Sequence, residues 1–154
     1  MEIKKATPRD FDTVFKLKLE SKQEERKYNP ELRPVAQVKK MYADYLKNDL
    51  NDRWRVVLVA RQKGIPVGYV VGKIYRTLKV AGYLRCGYIS NLYIKKGFRR
   101  KGTARRLLRE LAAWFKKKGA VRMTLELYSN NRAAIKLYHK LKFKDYCVKL
   151  RKKI

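Results

Sequence analysis

The stretch "YISNLYIKKGFRRKGTARRLLRELAAWFKKKG", residues 88 to 119, constrains the fold more than any other part of the chain. It opens on β-branched and aromatic residues, the composition of a strand. After a glycine-bearing turn, Ala104, Leu107, Leu108, Leu111, Ala112 and Phe115 fall at i, i+3, i+4, i+7, i+8 and i+11, one stripe of an amphipathic helix that Gly119 ends. Such a helix must bury its stripe, and the nearest apolar surface is the sheet that the strand belongs to. A mixed α/β fold follows.

The same turn has a chemical consequence. A strand that passes through a glycine turn into a helix aims unpaired N–H groups and the positive end of the helix dipole at an anion. Gly102 lets the backbone come close, and Arg99, Arg100 and Lys101 add charge. A P-loop is excluded: Gly97 and Gly102 have its spacing, but Thr103 and Ala104 stand where Lys-Ser/Thr is required. The dinucleotide fingerprint G-x-G-x-x-G is absent as well. Spacing alone leaves open a plainer reading, a glycine that only starts a helix among solvated cations.

The rest of the chain fits around this unit. Residues 2 to 6 read as a short strand; Thr7 as N-cap, Pro8 and Asp10 then open a helix to about Lys27. "KYNPELRP" breaks it, and Val38, Met41, Tyr42, Tyr45 and Leu46 mark the face of a second helix that ends between Asn48 and Asp52. "WRVVLVAR" and "IPVGYVVGKIYR", joined through "QKG", form a hairpin, and "CGYISNLYI" extends the sheet after "KVAG". Beyond the 104–115 helix, Val121, Met123, Leu125 and Leu127 alternate in a strand. Ala134, Leu137, Tyr138 and Leu141 stripe a helix, and "FKDYCVKL" reads as a last strand. The expected order is β-α-α-β-β-β-α-β-α-β in one domain spanning residues 1–154.

Lys+Arg 41 against Asp+Glu 13 gives a formal net charge of +28, which points to anionic partners without saying which. Two cysteines and one histidine cannot build a zinc cage or a disulfide framework, so no metal is expected. No apolar run approaches a membrane span and no apolar leader opens the chain, so the expectation is a cytoplasmic protein.

A second segment gives the turn its meaning. "YISNLYIKKGFRRKGTARRLL" and "LELYSNNRAAIKLYHKLKF", about thirty positions apart, resemble the two signature segments of the GNAT superfamily of acetyl-coenzyme A dependent N-acetyltransferases. Arg99-x-x-Gly102-x-Ala104 matches the first motif, and Asn131, Ala134, Tyr138 and Phe143 match the second. The resemblance implies a mostly antiparallel mixed sheet with helices on both faces. It also implies an acetyl-CoA site: Leu92, Tyr93 and Ile94 pairing with the pantetheine arm, and residues Arg99, Arg100, Lys101, Gly102, Thr103 and Ala104 on the pyrophosphate. Asn131 and Ala134 lie on the cofactor side of the next helix. Tyr138 matches the tyrosine that protonates the departing thiolate, though it also lies on its helix's apolar stripe, the place of a core tyrosine.

The implied reaction is acetyl transfer to an amine by direct attack in a ternary complex. A lysine amine near ~10.4 is roughly one part in a thousand neutral at pH 7, an α-amine near ~8 roughly a tenth, so a base or a positive field must help. Many relatives carry a glutamate on the strand before the turn; this chain has Tyr88 there and Glu126 on the adjoining strand, the candidate base pair. The plainer alternative is that Glu126 pairs with a cation and Tyr88 packs. The acceptor stays open between a protein N-terminal amine, a lysine, a small-molecule amine and a modified base, and the excess positive charge disfavours polyamines and histone-like tails. One closing strand stands where a hairpin is usual, which leaves room for an open cleft or for a homodimer in which a partner chain completes it.

Two rivals come from other classes. Arg105, Arg106, Arg109, Lys116, Lys117 and Lys118 could serve a nucleic-acid-binding module, alone or added to acetyl transfer, yet no DNA- or RNA-binding motif accompanies them. A membrane-surface helix at 102–118 is opposed by its narrow apolar stripe and by the strand before it.

Overall fold

The computed structural model describes residues 1–79 and 82–154. In chain order it holds β1 (Glu2–Lys5), α1 (Phe11–Glu25), α2 (Val35–Asn51), β2 (Arg55–Gln62), β3 (Ile65–Lys79) and β4 (Gly82–Ile94). There follow α3 (Thr103–Lys117), β5 (Met123–Thr124) and α4 (Arg132–Lys140). The five strands form one sheet in the order β1-β2-β3-β4-β5, antiparallel except for the parallel pair β4–β5. The centre of the expected "KVAG" turn lies outside the described residues.

Both faces of the sheet are covered, which explains the near-continuous apolar run in β2. Val56, Leu58 and Ala60 face α3 and α4, while Val57 and Val59 face α1 and α2. The β2–β3 hairpin turns on Lys63 and Gly64, both at positive φ, which matches the twist of the flanking strands. At the N-terminus the Thr7 N–H and hydroxyl both donate to the Asp10 carboxylate and the Asp10 N–H donates to Thr7 O, at the start of a 3-10 turn that leads into α1.

Phe115 fixes where α3 lies. A Cβ at Gly72 of β3 would come within 2.8 Å of its ring, and one at Gly87 of β4 within 2.5 Å, so two bare strand positions make a flat seat for one aromatic ring. Leu107, Leu108 and Leu111 complete the stripe as expected.

Three sequence expectations need correction. Met41 and Tyr45 of α2 are exposed, 42% and 51%, while Leu46 of the expected face is buried and the helix is rolled to bury Asp49 beside it. The buried Asp49 takes Lys18 Nζ at 3.6 Å and Arg55 Nη1 at 2.9 Å, and that ion cluster sets the roll. The strand expected near residue 121 shrinks to Met123–Thr124, with Val121 exposed. The final strand does not form: Tyr146, Val148 and Leu150 keep their alternation but stand exposed with no strand beside them, and alternation without a ladder leaves the backbone unpaired.

Candidate active site

The turn between β4 and α3 is built from a 3-10 turn and two residues at positive φ. A 3-10 turn at Lys96–Phe98 leads to Arg100 at φ 60 and Gly102 at φ 79, and α3 starts at the next residue. This path leaves the N–H groups of Arg100, Lys101, Gly102, Thr103, Ala104 and Arg105 without an acceptor among the described residues. The first helical bond returning to the turn is Arg106 N–H to Gly102 O, 3.1 Å. A Cβ built on Gly97 or Gly102 meets no atom within 4 Å, so the space over these amides is open. Unpaired donors at a helix N-terminus, with room above them, bind an anion such as a pyrophosphate.

Arg99 is the exception in this segment. Its N–H donates to Lys96 O, its Nε donates to Ile94 O at 2.7 Å, and its guanidinium grips Glu24 of α1. Arg99 thus braces the turn through the Ile94 carbonyl and Glu24. Lys101 folds back in turn, its Nζ donating to Gly97 O at 2.9 Å.

Upstream, β4 changes neighbours. Its pairing with β3 runs to Ile94 opposite Gly68, with a bulge where Gly72 meets Ile89 and Val71 meets Asn91. Its pairing with β5 ends after Gly87 and Tyr88. Past Tyr88 the outer edge of β4 pairs with no strand among the described residues; the Leu92 and Ile94 main chains face it, and the Ile94 carbonyl there already accepts from Arg99 Nε. Side chains do not occupy it: Leu92 and Ile94 pack on the α3 side. Tyr93 lies on the α1 side, where its hydroxyl donates to Glu20 at 3.2 Å, and burial together with that carboxylate pushes its phenol up to about 12.

The second motif lands on α4. Asn131 caps it, Oδ1 accepting from Ala134 N–H at 3.2 Å, so two motif residues are joined by the bond that starts the helix. Tyr138 is 6% exposed, set edge-on to Phe143 with centroids 5.2 Å apart, and it touches the same apolar cluster as Ile89 and Ile94. Its hydroxyl has no hydrogen-bond partner among the described residues, and burial alone raises its pKa, which keeps the proton on oxygen at neutral pH.

Tyr88 and Glu126 come near one another at the point where β4 and β5 part. Burial, then the charge of Glu126, raises the Tyr88 phenol. Lys73 sits over the Tyr88 ring at 4.9 Å and Tyr75 meets it edge-on at 6.5 Å, while the Tyr75 and Thr124 hydroxyls lie 3.1 Å apart. The α1–α2 loop closes one side: Asn29 Nδ2 donates to Tyr128 Oη at 3.3 Å and Asn130 Nδ2 to Tyr28 O at 3.1 Å. Sequence reasoning missed Lys73, Tyr75 and Glu24. Glu20 and Glu24 did carry a signal, two carboxylates one helical turn apart in a chain poor in acids. Among the described residues no group of three or more His, Cys, Asp or Glu is placed to hold a metal ion. No described helix is long and apolar enough to cross a membrane.

Known proteins share the fold. The chain is 39% identical over 57 residues to the uncharacterized N-acetyltransferase YobR of Bacillus subtilis, a match taking in 37% of this chain and 23% of that protein. A mutant of the BH1408 protein from Bacillus halodurans superposes with a TM-score of 0.89 at 19% identity, over 100% of this chain and 99% of that one. The aminoglycoside N-acetyltransferase AAC(6')-Iy, solved in complex with CoA, superposes with a TM-score of 0.77 at 15% identity, over 99% of this chain and 95% of that one. The sequence profile of the Acetyltransferase (GNAT) family matches residues 18–143, and by that match the chain belongs to this family.

Proposed function

We propose that residues 1–154 act as one acetyl-CoA-dependent N-acetyltransferase unit, in which an amine attacks the thioester directly while both substrates are bound. The observation that carries this reading is continuity: the open edge of β4 runs straight into the unpaired amides of residues 100 to 105. An arm bearing amides would bond along that edge, and a pyrophosphate at its end would meet the cradle. The residues fit the group, since donors are free and the glycines leave space. When bound there, acetyl-CoA supplies an activated acyl carbonyl.

The chain's own groups do the rest. Leu92 and Ile94 orient the arm through their main chain, with Asn131 and Ala134 flanking it from α4. Tyr138 holds a proton for the departing thiolate. Tyr88, whose raised pKa keeps its phenol protonated, orients the amine, and the exposed Glu126 accepts the amine's proton through water. The ammonium of Lys73 favours the neutral form of an amine beside it.

An α-amine suits this site better than a lysine, because a roughly hundredfold larger fraction of it is neutral at pH 7. A polycation such as an aminoglycoside is opposed by the net charge of +28. The acceptor assay is transfer of labelled acetyl groups to three pools: peptides with a free α-amine, Nα-blocked lysine peptides, and an aminoglycoside. Turnover is expected on the first; turnover on the aminoglycoside alone overturns the acceptor assignment and leaves the cradle untouched.

The cradle has its own test. Asn and Asp both tolerate positive φ and match in size, so Gly102→Asn and Gly102→Asp differ in charge alone. Wild type with acetyl-CoA at 100 times its Kd should gain about 2.7 kcal/mol. Gly102→Asp should lose most of that gain and Gly102→Asn distinctly less; equal retention in both removes the pyrophosphate from this turn.

A further inference from the structure

β3 outruns β2. Their pairing begins with Arg55 opposite Lys73, while β3 continues to Lys79. The Ile74 N–H still reaches the Trp54 carbonyl at 2.8 Å, and Arg76, two residues on, turns its own N–H and C=O to the same side. No strand among the described residues lies there. The main chain at Arg76 is therefore an open edge, able to take one more strand.

A cleft of about 390 Å³ lies over this edge and joins it to the candidate acceptor position. Lys73 and Tyr75 are the link, because both line the cleft and both meet the Tyr88 ring, Lys73 Nζ 4.9 Å from its centroid and the Tyr75 ring edge-on at 6.5 Å. From β4, which carries Tyr88, across β3 to a strand added at its open edge is two strand spacings, roughly 10 Å. An extended chain covers that distance in about three residues.

The cleft is charged one way. Asp52 is the single acid in its lining, and it is taken by Arg55 and the Trp54 N–H. Arg53, Lys73, Arg76 and Arg85 line it with no carboxylate partner among the described residues. The Trp54 ring holds two of them, the Arg85 guanidinium 5.0 Å and the Arg53 guanidinium 5.5 Å from its centroid, so recognition falls to cations and main chain rather than to a free indole face. Cations gathered this way repel one another, and carboxylates entering among them relieve that repulsion.

We propose that the acceptor is a peptide with acidic residues from its third position onward. Its chain crosses from Tyr88 over Lys73 and Tyr75 to the open edge of β3 and pairs there as an added strand, its carboxylates on Arg53 and Arg76. The acetyl-transfer reading above supplies the place of its α-amine. A small anionic amine would satisfy the cations and leave the edge unpaired, whereas a peptide satisfies both.

The test is anisotropy of peptides of about ten residues, each with a free α-amine and a C-terminal fluorescein, titrated with the full chain in the presence of coenzyme A. One peptide carries Asp-Glu-Asp at its third to fifth positions, the second Asn-Gln-Asn there, and the third the same three acids at its C-terminal end. The first should bind about tenfold more tightly than either of the others. Arg53 and Arg76 are exposed, and Arg53→Gln with Arg76→Gln should erase that preference at an unchanged melting temperature. Lys39→Gln with Lys40→Gln, the same charge change on the exposed side of α2, should preserve it. Backbone N-methylation of the first peptide at alternate residues should weaken binding in one register and spare it in the other, since only alternate amides face β3. Equal binding of the three peptides overturns the proposal, as does a preference that survives the arginine changes or methylation without effect in either register. Transfer of labelled acetyl groups to the same peptides is scored separately: preferential binding without transfer refutes the transfer reading and leaves the peptide site standing, while transfer without preference refutes the site alone.

Discussion

Arg99 and Glu24 meet fork to fork, Nη1 to Oε1 at 2.8 Å and Nη2 to Oε2 at 2.7 Å, tying the entrance of the anion cradle to the last turns of α1. Glu20, one turn earlier, takes Tyr93 and Lys95. The turn that carries the amides of residues 100 to 105, the proposed pyrophosphate site, is thus held from α1. Preorganised donors lose less on binding than donors that must first be ordered.

Glu24→Gln should therefore weaken acetyl-CoA binding while leaving the chemistry itself intact, seen as a higher KM for acetyl-CoA with kcat nearly unchanged. The half-exposed pair is worth about 1 kcal/mol, or roughly 2–4 °C in melting temperature. The Arg99 hydrogen bonds lower the Glu24 pKa from 4.5, so its contribution is present above that pH and is lost as pH falls through the lowered value. The gap between wild type and variant should close below pH 4.5 in a series of thermal melts. A gap that persists unchanged in acid would mean the ion pair is not its source.

The buried ion cluster predicts an asymmetry. Asp49→Asn leaves Lys18, 3% exposed, without its counter-charge and should cost about 3–5 kcal/mol. Lys18→Met keeps Asp49 paired with Arg55 and fills the space with an apolar chain, so it should cost far less. Burial lowers the Lys18 pKa from 10.5, so the unfolded chain binds the extra proton in the window just below 10.5 and the wild type gains stability as pH rises through it. Lys18→Met lacks that gain. Denaturant midpoints across that range check both statements, and equal losses in the two variants would refute the asymmetry.

What could be read from the sequence was local. Spacing within eleven residues gave the α3 stripe, and Gly102 marked the turn because a positive φ leaves few alternatives. The two motif segments identified the family and placed Asn131 and Tyr138 on one helix. Relations across the chain were not legible: Glu24 reaches Arg99 over 75 positions, and no pattern in either segment encodes that pairing. The roll of α2 was misread for the same reason, since Asp49 looks like a surface residue until Lys18 and Arg55 converge on it. The strand expected at 143–150 had the right alternation, but a strand needs a neighbour, and its own sequence cannot supply one.

Tyr138 separates packing from catalysis. Its ring packs edge-on against Phe143, while its hydroxyl has no hydrogen-bond partner among the described residues. Tyr138→Phe keeps the ring and removes a polar atom that gains nothing from the protein, so the fold should be as stable as wild type or slightly more so. If the phenol delivers the proton to the thiolate, kcat should fall about 10²–10⁴-fold. KM for acetyl-CoA should barely move, the mark of an interaction made chiefly in the transition state. Burial raises the phenol's pKa, so the proton stays in place across neutral and mildly alkaline pH, and the wild-type rate should not decline there through loss of this acid. A variant with kcat intact would make Tyr138 a core residue, and the thiolate would then take its proton from water.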